Sequence, residues 1–325
     1  MNNCRLTAHS LRRRGSRWWL TLGLCIVVVM APIAAPCRAA DSNAQLDFAT
    51  AAQAVDALMA AERSNDESEL IRVLGPAGDR LIHSGDPVAD RESHRRLVDA
   101  FDKAHRIEPE GPRTATLIVG PENWPLPIPI VEQGGRWRFD TLAGEQKIID
   151  RRVGRNELNV IEVCHAYVAA QHEYASKDPL GDGVHEFAAK IASSPGKHDG
   201  LYWKVAAGEG QSPFGPLVAS ARAEGYTGTH AHGLPYHGYY YRILTRQGPH
   251  AAGGAKNYIV AGHMIRGFAL LAFPATWGDS GIMTFMVNQH GIVFQKNFGP
   301  DTTSLASKIE EFDPDLSWKT ALPGD

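Results

Sequence analysis

HGYYYRIL, residues 237–244, sets an imidazole, three phenols and a guanidinium within six positions. Such groups stack on rings, donate hydrogen bonds and pair with anions. On a strand, alternate side chains point to opposite faces. Tyr239, Tyr241 and Ile243 then form an apolar set suited to packing on a helix. His237, Tyr240 and Arg242 are assigned to the other face as the candidate ligand group.

A second group has metal-ligand character. DPLGDG, residues 178–183, places acids at the first and fifth positions of a calcium loop and glycine at the sixth. Glu186 falls at the ninth, so Asp178, Asp182 and Glu186 are the candidate calcium ligands. Leu180 and Ala189 stand where further carboxylates belong, and a solvated turn ending a helix explains the same residues. His230, His232 and His237 are close enough to share a zinc ion, but no cysteine or acid lies at motif spacing. His172-Glu173 and His185-Glu186 each begin like a metalloprotease helix and lack the second histidine. GDSG, residues 278–281, is similar to the nucleophile turn of trypsin-like proteases. No triad context accompanies it and Ile282 stands where a further glycine belongs, so the four residues read as a strand-entry turn. No catalytic residue is assigned, and no cofactor is indicated beyond a weak structural calcium.

The elements that must position these groups read as α+β. Apolar residues recur at helical spacing through residues 46–106, in three helices. Strand-like TATLIVG, PLPIPIVEQ and RWRFDTL follow, with Gly134-Gly135 as a tight turn. A long helix is expected next, capped at Asn156, with Val160, Cys164, Tyr167 and Tyr174 on one stripe. Cys164 within that stripe reads as a buried, inert thiol. Four strands then form an antiparallel meander packed on the helix: residues 237–244, 267–275, 282–287 and 291–298. Two domains are expected, 40–152 and 153–325, and the first has the shape of cystatin-like or nuclear-transport-factor-like folds.

The first 39 residues have a separate character. Arg5, Arg12, Arg13, Arg14 and Arg17 precede an apolar run from Trp18 to Ala35, and Cys37-Arg38-Ala39 supplies small residues at a cleavage spacing. This is the layout of a secretory signal peptide. Residues 1–39 hold six arginines and no acid, so the processed chain has 27 basic against 36 acidic residues, near −9. That balance argues against nucleic acid as a partner. Cys4, Cys25 and Cys37 leave with the leader, so Cys164 remains alone and no disulfide framework is available. No later stretch approaches membrane length.

The strings DPLGDGVHEFA, SPGKHDGLYW, SPFGPLVASARAEGY, PYHGYYYRILTRQG, GFALLAFPATWGDSGIMTF and VNQHGIVFQKNFG together resemble a bacterial exported family known as domain of unknown function 2950. The resemblance covers nearly the whole processed chain. It implies a periplasmic or cell-envelope location and no established activity. The second half also resembles a type IV pilin or pseudopilin head in its order of helix, loop and tyrosine-rich meander. Its helix follows a whole domain and is amphipathic, so such a head would not assemble by the pilin route. The expectation is an exported envelope protein with a non-enzymatic binding or assembly role toward an envelope protein or ligand. The alternative is a hydrolase working between the domains through His237 or Ser280.

Overall fold

The computed structural model describes residues 44–205, 208, 210–226 and 234–321. The expected leader, His230 and His232 lie outside the described residues. The fold is α+β, with an N-terminal layer and a C-terminal layer built on one shared helix.

In the N-terminal layer the helices are α1 (Ala51–Ser64), α2 (Glu67–Leu74), α3 (Asp79–Ile82) and α4 (Pro87–Lys103). Each longer one starts where the sequence supplies a cap. Thr50 Oγ1 accepts from Gln53 N, Asp66 from Glu69 N, and Asp86 from Val88 N and Ala89 N with Pro87 at the first helical position. The strands are β1 (His105–Pro109), β2 (Thr114–Val119), β3 (Trp124–Pro125), β4 (Ile130–Gln133) and β5 (Arg136–Phe139). They form an antiparallel sheet in the order β1-β2-β4-β5, with β3 beside β2. Residues 126–129, expected as strand, are not: Pro127 and Pro129 have no N–H to give a ladder. Leu58, Leu70, Val73 and Phe101 meet Leu117, Ile130 and Phe139 in one core.

Helix α5 (Thr141–Lys177) runs for 37 residues, about 55 Å at the usual rise. It begins at Thr141, with Asp140 as cap, and not at Asn156 as expected; it crosses position 153 without a break. Asn156 is buried mid-helix instead, and its Nδ2 donates to Ser280 O at 2.9 Å. The expected strand RWRFDTL stops at Phe139, because Asp140 caps and Thr141 opens the helix. Gly144 explains how the helix starts so close to its neighbours. A Cβ there would lie 2.2 Å from Pro127 O.

The C-terminal layer adds α6 (Gly215–Ala223), β6 (Tyr239–Leu244), β7 (Arg246–Gln247), β8 (Lys256–Asn257), β9 (Ile259–Val260), β10 (His263–Met264), β11 (Ala269–Pro274), β12 (Met283–Asn288), β13 (Val293–Asn297), α7 (Thr302–Ser307) and β14 (Lys319–Thr320). The main sheet is antiparallel in the order β14-β13-β12-β11-β6. The four expected strands are present, with no end displaced by more than two residues. Val160, Cys164, Tyr167 and Tyr174 of α5 share one core with Tyr239, Phe268, Phe285 and Val287. Cys164 is fully buried, and burial pushes its thiol pKa up to about 12. Gly281 makes room for Tyr239, whose Oη would lie 2.0 Å from a Cβ there.

Two polar links join the layers. Asp86, which caps α4, also accepts from Tyr226 Oη at 2.8 Å and Gly238 N at 2.8 Å. Arg80 bridges Glu145 at 2.6 Å and Asp279 at 2.7 Å. Among the described residues, no helix is long and apolar enough to cross a membrane.

Candidate functional site

The tyrosine strand follows parity where it is regular. Tyr239 is fully buried, donates to Met283 O at 3.0 Å and packs on Phe285. Tyr241 reaches Tyr236 O at 3.4 Å. Tyr240 and Arg242 take the opposite face, but that face is not open. Tyr240 packs on Phe273, and Arg242 donates to Ala306 O, Ser307 O and Ile309 O, closing the C-terminal end of α7. The arginine is therefore a helix clamp.

His237 does not join them, for two reasons. It stands an odd number of positions from Arg242, so a regular strand would send it to the other face. Its backbone also turns left-handed before the strand begins, at φ 50°. There its ring lies 3.3 Å from Glu224 and tilts against Tyr236. The three expected ligand residues share no partner. Ser280 is likewise committed: it is fully buried, and its Oγ both donates to Thr276 O and accepts from Thr276 N. In the acidic loop, Asp178 accepts from Gly181 N and Gly183 N at 3.1 and 3.0 Å and so holds the turn. Asp182 and Glu186 do come together.

A larger apolar recess lies elsewhere, in the N-terminal layer. A cavity of about 380 Å³ opens between α1, α4, the sheet and the first turns of α5. That size suits a small-molecule ligand. Its floor is apolar: Leu58, Leu74, Ile82, Val119, Leu126 and Ile128 are all buried. Its exposed lining residues are Ser93 and Arg96 from α4, Trp124 from β3, and Arg151 and Arg155 from α5. Half-buried Arg152 stands beside them.

The helices place this rim by simple spacing. Ile148, Arg151, Arg152 and Arg155 lie at i, i+3, i+4 and i+7 on α5, one face of a helix. Ser93, Arg96, Leu97 and Ala100 repeat the pattern on α4. The sequence carried this signal, but a helix begun at Asn156 would omit the arginine face of α5.

The four arginines differ in what holds them. Arg151 sits 5.5 Å from the centre of the Trp124 ring, a cation–π contact. Arg152 donates to Arg80 O and Leu81 O at 3.0 and 2.6 Å. Arg96 bonds its own helix through Ser93 and Glu92. Arg155 makes no hydrogen bond or ion pair with any described residue. Burial first, then the charges of Arg96 and Arg152, lower its pKa. The cations thus crowd one another without a neutralising acid at Arg155.

Inside the cavity stands one acid–base pair, His94 Nδ1 with Glu62 Oε2. Burial pulls the His94 pKa down, but the hydrogen bond and charge of Glu62, with Asp90 and Glu67 behind, outweigh it and the net direction is up. Glu62 stays nearly covered, at 6% side-chain exposure against 15% for His94, so the pair is a wall feature with its charge internally balanced. Ser93 bonds Arg96 and shows no contact to His94.

The family of proteins of unknown function designated DUF2950 matches residues 45–321, and the chain belongs to it. Comparison with curated proteins and with solved structures returns no match.

Proposed function

We propose that this member of the DUF2950 family is an exported cell-envelope protein that binds an amphipathic anion in its N-terminal layer and performs no chemistry on it. One observation carries the reading: an apolar cavity of about 380 Å³ has four arginines among its lining residues, only Arg96 is in an ion pair, and Arg155 makes no hydrogen bond, ion pair or ring contact with any described residue. An aliphatic chain would seat among Leu58, Leu97, Leu126 and Ile128. Its carboxylate or phosphate head would meet Arg155 and Arg96, where a paired guanidinium geometry suits a planar or tetrahedral anion. The ligand's charge would relieve the mutual repulsion of these cations.

The basic, apolar leader supports export to a bacterial periplasm or envelope. The pilin-like order of the second half suggests an assembly role, but the helix concerned begins inside the chain at Thr141 and binds both layers. The hydrolase alternative draws less support, since Ser280 is buried and His237 is turned toward Glu224. Neither a calcium ion nor any other cofactor is needed for anion binding at this cavity.

Titration calorimetry with medium-chain fatty acids and with their methyl esters tests the reading. Binding of the acid, weaker binding of the ester, and loss of at least about tenfold in affinity in Arg155→Ala are expected, the last being about 1.4 kcal/mol. Equal binding of acid and ester, or an unaffected Arg155→Ala, would remove the anion from the proposal.

A further inference from the structure

Helix α5 ends at Lys177 in the loop that carries Asp182 and Glu186, far along the chain from His263. Two devices bring the third residue in. Phe187 N donates to Met264 O at 2.8 Å, and Met264 N donates to Glu186 Oε2 at 3.2 Å, which ties the loop to β10. The β9–β10 hairpin turns through Ala261 and Gly262, both left-handed at φ 51° and 92°, the tight two-residue turn that fixes strand register. His263 is thereby held against Glu186. One ligating atom from each of Asp182, Glu186 and His263 lies within 4.8 Å of the other two.

The histidine contact is not an ordinary hydrogen bond. His263 Nδ1 is buried and has no hydrogen-bond partner, although Glu186 Oε2 is 3.3 Å away. Two ligands at about 2.0–2.2 Å from one zinc ion, at a tetrahedral angle, would stand roughly 3.3–3.6 Å apart. Neither Asp182 nor Glu186 is paired with a lysine or arginine among the described residues; His263 is the one basic partner Glu186 has there. Asp178 and Asp199 add to the negative field in the same quarter, where they and the two ligating acids act together on Tyr174.

We infer that Asp182, Glu186 and His263 form a divalent transition-metal site of the zinc class. Imidazole nitrogen with two carboxylates suits zinc or its neighbours, whereas calcium takes oxygen donors throughout. Three protein ligands leave a fourth position for water. The ion would clamp the end of the α5 loop to the β9–β10 hairpin and supply the partner that Nδ1 lacks. The expected calcium group thus keeps Asp182 and Glu186, exchanges Asp178 for His263, and changes its metal.

Zinc titration of the full processed chain by calorimetry, beside His263→Ala and Asp182→Asn, tests the site. Asp182 is exposed, so its substitution leaves folding intact if removal of His263 does not. The native chain should bind one more zinc equivalent than either variant, or bind that equivalent at least about tenfold more tightly. Calcium should give no response that depends on His263. Identical zinc binding by all three proteins, or none by the native chain, overturns the site. Calcium binding that needs Asp182 and survives His263→Ala overturns the nitrogen-bearing ligand set.

Discussion

The two layers use the same materials, helices laid on an antiparallel sheet, and differ in how well they are filled. The C-terminal core holds Tyr167, Tyr174, Tyr239, Tyr258, Phe268, Phe285 and Phe312, and its apolar recess beside Tyr241 and Leu270 measures only about 30 Å³; the larger hollows of this layer, about 340 and 250 Å³, carry charged side chains such as Arg246, Lys296 and Glu310 in one and Lys204 and Arg222 in the other. In the N-terminal core Phe101 and Phe139 are the buried aromatic rings, and about 380 Å³ remains open. Side-chain volume therefore separates a load-carrying sheet from a container. A close-packed interior has no space for a ligand, and an interior with unfilled apolar space gives up dispersion contacts until something occupies it.

Truncation of a buried ring should break this comparison most visibly. Tyr239→Ala removes a fully buried side chain and its bond to Met283 O, and should cost about 3–5 kcal/mol in denaturant melts. Leu97→Ala, on the wall of the existing cavity, should fall below the usual 2–5 kcal/mol for a buried leucine. Equal losses at the two sites would mean that the N-terminal layer is as tightly packed as the C-terminal one.

Enlarging a side chain sharpens the same contrast. Ala272 is fully buried in β11, so Ala272→Phe should overpack and cost about 1–3 kcal/mol or more. Ala100 lines the cavity, so Ala100→Phe should be nearly neutral by thermal melting and should abolish ligand binding. A smaller effect is expected at Cys164. Cys164→Ala should destabilise by on the order of 1 kcal/mol. With the thiol buried and its pKa pushed up to about 12, the native protein should label slowly with a thiol reagent and the denatured protein quickly.

The smallest effect is one of pH and belongs to the container. The His94 pKa is raised above its ordinary 6.5 in the folded state. A raised histidine binds its proton more tightly when folded, so its contribution is complete below about pH 6.5 and fades as the pH climbs through the folded value. Melts of native protein between pH 5 and 9 should show that decline, and His94→Gln should flatten it. An identical profile in the variant would locate the dependence elsewhere.

Residue patterns made the C-terminal layer legible. The apolar runs LLAFP and MTFMV and the tyrosine run YYYRIL gave the strands, and alternation within YYYRIL gave the shared face of Tyr239 and Tyr241, because successive side chains of a strand point to opposite faces. They misplaced the start of α5, since Asp140-Thr141 follows a strand-like run without a gap. With the start misplaced, the arginine face of that helix went unrecognised. Arg242 was read as a ligand group because its type invites anions; the carbonyl ends of α7 claim it instead, from 64 to 67 residues away.

Helix periodicity, strand alternation and turn chemistry are local, and residue order alone determined them: the α+β class, the buried thiol and the antiparallel meander. Three things were left to the tertiary structure. They are the open volume beneath α4, the lack of an ion pair to Arg155 among the described residues, and the meeting of His263 with Asp182 and Glu186 across 77 residues or more. Each depends on which distant side chains pack side by side and how much volume they leave. That quantity is set by the summed fit of the whole chain, which no window of sequence contains.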